Sequence, residues 1–391
     1  MNKIKPKIKI EAIVTISSLC LTAPCMASEP DAFKSMMDEA WSKVVLYENP
    51  ENPHIQKLAF TGRLHLDYAM IDGKGDPAAG ATDPDLTYDF GGWRRLRAGI
   101  KATVFNHFTL HAEGDFNPDE NPWYRRLTDA YVAWTPCEAF ELKLGKQGVG
   151  FTLDGSTSSR ELLTIDRNNL TNNLWFTNEY APGIMTSGRV GKWLYHTGVT
   201  SQGADDGEFG NFEGGATWLA SIGYDFSGIT GGDESVLILD YVFNEETESD
   251  QPLFTNRSLG NVLSLNHRFE KDAFGFRGDV SYGDGHLGQS DTWGFVLMPY
   301  YSFNDKLQAV FRYTFITSED DNGVRFARYE SEAVGNAGDQ YQEAYIGLNW
   351  FIHGHKLKLQ TGLQYVSMRD EADDGGAFDG LAWTTGLRVS W

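Results

Sequence analysis

The chain has 391 residues, 54 acidic against 33 basic, with 24 Phe, 17 Tyr, 11 Trp and 42 Gly and a mean hydropathy of −0.38. Such a negative balance excludes nucleic acid as a partner. No run of about 20 apolar residues occurs, which excludes a helical membrane protein.

The N-terminus reads as a secretory leader. Lys3, Lys5, Lys7 and Lys9 form a basic region, residues 12–21 an apolar one, and Cys25-Met26-Ala27 a cleavage site after Ala27. Cys20 and Cys25 leave with the leader and Cys137 remains alone, so there is no disulfide framework. Loss of the four lysines and Glu11 takes the 33 basic and 54 acidic residues to 29 and 53, a net charge near −24. In residues 28–56, Phe33, Met36, Met37, Ala40, Trp41, Val44 and Val45 follow helical spacing until Pro50 and Pro53. That segment predicts a short amphipathic helix and a linker.

From Lys57 to Trp391 the pattern changes to alternation. Leu58, Phe60, Leu64, Leu66 and Tyr68 share one strand face, with Thr61, Arg63, His65 and Asp67 on the other. Similar segments fall at 94–104, 108–116, 128–134, 140–147, 184–190, 194–200, 216–226, 262–269, 274–282, 307–315, 341–350, 357–366 and the C-terminus. Two more, 235–243 and 292–303, carry Ile238, Val296 and Met298 on the wet face, and Pro299 marks a bulge or a lipid-side exception. Seven short connections alternate with eight long ones, near 69–92, 117–127, 148–183, 201–215, 244–261, 283–291, 316–340 and 367–383. Fifteen connections require sixteen strands. The expected fold is all-β: an antiparallel transmembrane barrel over 57–391, with short periplasmic turns and long external loops. A soluble sandwich lacks that alternation. Aromatics at strand ends (Trp134, Phe140, Trp193, Phe226, Phe243, Phe269, Phe274, Phe303, Trp350, Trp391) suit interfacial girdles. Residues 1–27 are then the leader and 28–56 a periplasmic segment, and the barrel belongs in a Gram-negative outer membrane.

Three stretches resemble the phosphate-selective porin O and P family. They are Trp93 to Lys101 with Glu113-Gly114-Asp115; Asp129-Ala130-Tyr131-Val132-Ala133-Trp134; and Leu144-Gly145-Lys146-Gln147, followed by the Ser-rich 155–159. The resemblance implies a sixteen-stranded, trimeric porin whose third long loop folds into the lumen and whose solutes are small, hydrophilic and anionic. The chain departs from the family in having fewer interior cations, acidic loops and a terminal Trp391.

Parity assigns eleven basic residues to the lumen: Arg63, Arg95, Arg97, Lys101, Lys143, Arg189, Arg268, Arg277, Arg312, Lys358 and Arg388. It also assigns nine acids: Asp67, Glu113, Asp115, Asp129, Glu141, Asp225, Asp240, Asp279 and Glu343. Closure of the barrel puts Lys358, Arg388, Arg63, Arg95, Arg97 and Lys101 on four neighbouring strands as a basic stripe. Lys146 joins the pore-lining candidates. Loop 148–183 holds Asp154, Glu161, Asp166 and Glu179 against Arg160 and Arg167; folded inward, as the resemblance implies, it faces acids toward part of the wall, a transverse field that favours polar solutes. The family resemblance adds Arg160 and Arg167 as constriction residues. Some of these charges serve only as cross-strand pairs, Arg97 with Asp115 and Lys101 opposite His111.

Acids crowd the external loops: Asp83, Asp85 and Asp89; Asp205, Asp206 and Glu208; Glu245, Glu246, Glu248 and Asp250; Glu319, Asp320 and Asp321; Asp370, Glu371, Asp373 and Asp374. They are either solvated charge or cation bridges to lipopolysaccharide, and they favour a general or weakly cation-preferring pore as the rival to anion passage. No zinc spacing, phosphate-binding glycine loop or nucleophile elbow occurs. His65, His111 and His196 fall on the wet face, where a Ser or Asp partner is to be found for any of them in a Ser-rich barrel, so the coincidence carries little weight. The sequence predicts no enzyme and no cofactor; a plugged barrel acting as receptor or adhesin is the other alternative.

Overall fold

The computed structural model describes residues 30–76, 84–174, 179–201, 208–209, 215–245, 258–286, 288–373 and 375–391. The leader and the loop acids Asp83, Asp205, Asp206, Glu246, Glu248, Asp250 and Asp374 lie outside the described residues. Helix α1 is Pro30–Ser42, followed by a short strand β1, Val45–Glu48. The helix ends where the β-branched Val44 and Val45 favour extended backbone. Strand β1 pairs antiparallel with the start of β2, Glu48 facing Lys57.

Sixteen strands then form the wall. The first four are β2 Ile55–Gly75, β3 Asp85–Val104, β4 Phe108–Phe116 and β5 Tyr124–Cys137. Next come β6 Phe140–Gly148, β7 Tyr180–Val190, β8 Trp193–Ser201 and β9 Ala216–Asp225. The third quarter is β10 Glu234–Asn244, β11 Leu259–Lys271, β12 Phe274–Gly285 and β13 Thr292–Asn304. The last is β14 Leu307–Ser318, β15 Gln340–His353, β16 Leu357–Arg369 and β17 Phe378–Ser390. Each strand pairs antiparallel with the next, and β17 closes on β2 from Phe378↔Gly75 to Ser390↔Arg63. Closure leaves no free edge, so each wall strand has a hydrogen-bonded neighbour on both sides, as a lipid environment demands. Trp391 completes the seam: its N–H and carbonyl both bond Gly62 at 3.1 Å. A Cβ at Gly62 would meet the Trp391 ring at 2.6 Å. The terminal aromatic therefore needs that glycine.

The expected sixteen strands are all present, including the two with apolar inner positions. Across Pro299 the register with β14 is unchanged, from Leu297↔Tyr313 to Tyr300↔Val310, so the proline makes no bulge. One connection is corrected. Most of 69–92 is not loop but strand, because β2 and β3 continue to pair as far as Lys74↔Asp85. The alternation is hard to see there because Ala69 and Ile71, on the inner face, are themselves apolar and fully buried. The outer face is greasy as expected, with Leu144, Ile184, Trp218, Leu297, Phe311, Ile346 and Leu363 exposed.

Candidate functional site

The described part of loop 3, residues 149–174 and 179, folds into the barrel. Its apolar side chains Phe151, Leu153, Leu170 and Leu174 bury against Val296 and Met298 of β13, Ile316 of β14 and Leu259 and Val262 of β11. Val296 and Met298, which parity placed on the wet face, are thus part of the bed of this loop, whereas Ile238 lines a separate cavity. Leu170 and Leu174 project from helix α2, Asn169–Leu174. A Cβ at Gly294 would come within 2.9 Å of Leu170, so the wall is thinned to seat it.

A buried loop must satisfy its backbone polar groups, and the wall charges do this. Thr152 N–H donates to Asp240 at 2.9 Å and Leu153 N–H to Asp279 at 2.8 Å. The Leu162 carbonyl accepts from Lys358 at 2.7 Å and Gln360 at 3.1 Å. Arg388 donates to the Ile165 carbonyl at 3.0 Å, and Arg312 to that of Asp166 at 3.0 Å. Arg268 donates to Ser156 at 3.0 Å and Thr157 at 3.1 Å. The register does set Lys358, Arg388, His65 and Arg95 side by side on four strands. The first two of that row are capped by loop 3 rather than turned to water.

The remaining expected site residues divide by role. Arg312 is held by both oxygens of Glu343, at 2.7 and 3.0 Å, and Arg388 bonds Asp67. Arg63 meets Ser159 at 2.7 Å and Glu113 at 3.3 Å, while Arg160 reaches Thr61 at 3.0 Å and Glu113 at 3.6 Å. These contacts fasten the loop to the wall. Asp154 is buried inside loop 3, accepting from the backbone and side-chain nitrogens of Asn168 at 2.8 Å each. Glu161 and Lys101 are exposed, and Lys143 lies 3.4 Å from Glu141. Lys146 is corrected: it pairs with Ala130 on the outward face, beside Leu144 and Val132, and its ammonium meets Glu208 at 2.8 Å. Strand alternation turns it from the lumen. Arg97 does face Asp115 and Lys101 faces His111 across β3 and β4.

Arg95, Arg97, Arg167 and Asp166 come together in a cavity of about 610 Å³ at the outer end of the lumen. Five further arginines share it: Arg94, Arg125, Arg126, Arg325 and Arg328. The acids there are Asp115, Asp166, Glu179 and Glu332. Parity missed Arg94 because β3 carries a bulge: His65 faces Arg95 and Leu66 faces Trp93, leaving Arg94 as the extra residue. A bulge re-aims a side chain, so two consecutive arginines turn inward. Arg125 and Arg126 stood in an expected loop that is the start of β5. Arg325 and Arg328 belong to loop 7, residues 319–339, expected outside but folded in. Their visible signal was only that basic pairs break the acidic loop pattern.

Loop 7 is locked to loop 3. Arg325 N–H donates to Asn173 at 2.9 Å, its carbonyl accepts from Asn169 at 2.8 Å, and Tyr329 donates to Asp67 at 2.6 Å. Asp166 bridges the two loops and the wall, 3.0 Å from Arg94 and 3.7 Å from Arg328. Glu179 lies 2.8 Å from Arg126, 3.7 Å from Arg97 and 3.8 Å from Arg167. Burial alone would raise both carboxyls, yet Arg94 and Arg328 at Asp166, and Arg97 and Arg167 at Glu179, hold them well below the usual range. Arg95 differs from its neighbours. The Nε of Arg94, Arg95 and Arg97 alike has no hydrogen-bond partner, but Arg94 and Arg97 each pair with a carboxylate, whereas Arg95, 4% exposed, has none within ion-pair distance among the described residues. A second cavity of about 400 Å³ lies at the short-turn end, lined by Glu138, Arg189, His196, Asp240, Arg268 and Ser156 of loop 3.

Residues 58–222 match the phosphate-selective porin O and P family. The match spans β2 to β9, the half of the wall that carries the resembling stretches. No curated protein matches the sequence. Among solved structures, the barrel is similar to an anion-selective porin from Comamonas acidovorans at 12% identity and a TM-score of 0.57, covering 85% of this chain and 99% of that one. It is similar to Salmonella typhi OmpF in complex with daunomycin at 13% identity and 0.60, covering 89% and 100%. It is also similar to the trimer form of Vibrio cholerae OmpT at 12% identity and 0.50, covering 85% and 99%. At such identities the likeness is one of fold: a closed sixteen-stranded antiparallel barrel.

Proposed function

We infer that this protein is an outer-membrane porin through which small hydrophilic solutes diffuse, with a preference for anions. The observation that carries the preference is the outer cavity, where eight arginines face four carboxylates. A surplus of fixed positive charge between low-dielectric walls concentrates anions and repels cations. The family match over the first half of the wall and the anion-selective porin from Comamonas acidovorans support the same reading. Export by a cleaved leader, a periplasmic place for residues 28–56, contact with lipopolysaccharide and a homotrimeric assembly complete it. The trimer form of OmpT supports the last of these. The lumen's role is passage rather than catalysis.

The test is the reversal potential of the purified channel across a potassium chloride gradient. An anion-permeable pore gives one sign. The opposite sign would transfer selectivity to the loop acids and establish the cation-preferring rival. A second reading has its own observation: loops 3 and 7 place apolar side chains, Phe151 to Tyr329, in one buried cluster with the inner wall. A barrel that inserts but passes no current would make that cluster a plug and the molecule a receptor or adhesin.

A further inference from the structure

We propose that the outer cavity is a binding site for a small hydrophilic organic polyanion, a polycarboxylate or a phosphate ester, with Arg95 as its specificity-determining residue. The inference rests on the porin reading and goes beyond it by naming the class of solute. Three observations carry it.

The first is an uncommitted charge. A buried guanidinium without a counter-ion is strongly disfavoured, yet Arg95 is held 96% buried against this cavity with no carboxylate at ion-pair distance among the described residues. The arginines beside it are engaged: Arg94 by Asp166 at 3.0 Å, Arg97 by Asp115 at 3.3 Å, and Arg167 by the Asp154 carbonyl at 2.8 Å. The bulge explains the arrangement. It supplies one arginine to clamp loop 3 and leaves the next to face the hollow. An anionic group docking on Arg95 gains charge-assisted hydrogen bonds that nothing else in the site makes.

The second is a further cation on another element. Arg325 of loop 7 is exposed, lines the same cavity and makes no side-chain ion pair among the described residues. Two cations without an ion pair, one on β3 and one on loop 7, ask for a ligand with two anionic groups. The third is size. At about 610 Å³ the cavity lies within the range of about 300–1,000 Å³ that holds an organic ligand. One inorganic phosphate would leave most of it to water and reach one of the two free arginines. The lining is almost wholly polar, Phe326 excepted, so the bridging framework is hydrophilic.

The experiment is isothermal titration of the purified full-length protein in detergent micelles with citrate, glucose 6-phosphate and inorganic phosphate, at one pH and ionic strength. Binding of citrate or glucose 6-phosphate about ten-fold tighter than that of inorganic phosphate is expected. Whichever binds tighter identifies the source of the anionic groups. Arg95→Gln is expected to weaken the organic anions about ten-fold and inorganic phosphate less. Arg325→Gln, on an exposed rim where folding is not at stake, is expected to bring the organic anions down to the level of inorganic phosphate. Inorganic phosphate binding as tightly as both organic anions overturns the proposal, as does indifference to both substitutions. Bilayer conductance of the same preparation keeps the two readings apart. Current without organic-anion binding ends this proposal alone, whereas binding without current ends the porin reading alone.

Discussion

The wall from β10 round to β17 and the wall from β3 to β9 enclose the same lumen and use it in opposite ways. Along the first, loop 3 lies on Val296, Met298 and Ile316, and Asp240, Asp279, Arg312, Lys358 and Arg388 bond its backbone. Charges there are structural, each spent on a specific partner. Along the second the loop reaches the wall through ion pairs, Asp166 with Arg94 and Arg160 with Glu113, and Arg95 and Arg97 border an open cavity with Arg125 and Arg126. A count of interior charges therefore says little about selectivity. What matters is which charges remain uncommitted after the loops have docked.

This contrast breaks most sharply at Glu343. Glu343→Ala leaves Arg312 buried without its counter-ion, a loss of about 3–5 kcal/mol. Urea denaturation of the folded barrel is expected to show that loss, whereas Arg125→Gln on the open side is expected to cost at most about 1 kcal/mol. The Arg125 pair with Glu120, 3.0 Å long, is about half exposed. Equal effects would dissolve the distinction between the two sides.

Leu170→Ala tests the packed side without touching charge. Removal of that fully buried side chain is expected to weaken loop 3 docking by about 2–5 kcal/mol. Single-channel recordings should then show larger and noisier conductance, with the sign of selectivity kept, because the open-side arginines are untouched.

Loop 7 offers a pH test. Glu330 is 1% exposed and bonded by Gln364. Burial first, then the neighbouring Glu343 and Asp166, push its carboxyl from 4.5 up to about 7. The other charged groups near it are Arg312, paired with Glu343, and Arg328, paired with Asp166. With the folded value raised, the packed loop holds an extra proton. Its docking is at full strength below 4.5 and weakens as pH rises through about 7. Tryptic cleavage at Arg325 and Arg328, taken as the ratio of wild type to Glu330→Gln, is expected to climb from about pH 6 to about pH 8. A flat ratio would remove Glu330 from the account.

The smallest expected effect separates a field from a fixed contact. Anion preference should fall as salt rises from about 0.1 to 1 M, where the screening length drops from about 10 to 3 Å. Docking of loop 3, sustained by buried contacts, should not change.

Sequence alone determined the cylinder. The alternation of long and short connections and the period of two in Leu58 to Tyr68 demand a closed sheet, because a half-apolar strand in lipid has no other way to satisfy its backbone. It also exposed the inward-pointing Val296 and Met298 as anomalies, though not what covers them. Only the tertiary structure decided which cations are free. That depends on a bulge at Arg94 and on a loop 7 that turns inward although its acids suggest water. Parity is local and survives translation along a strand. A bulge, or a loop's choice of bed, is settled by contacts between residues far apart in the chain, which no alternation records.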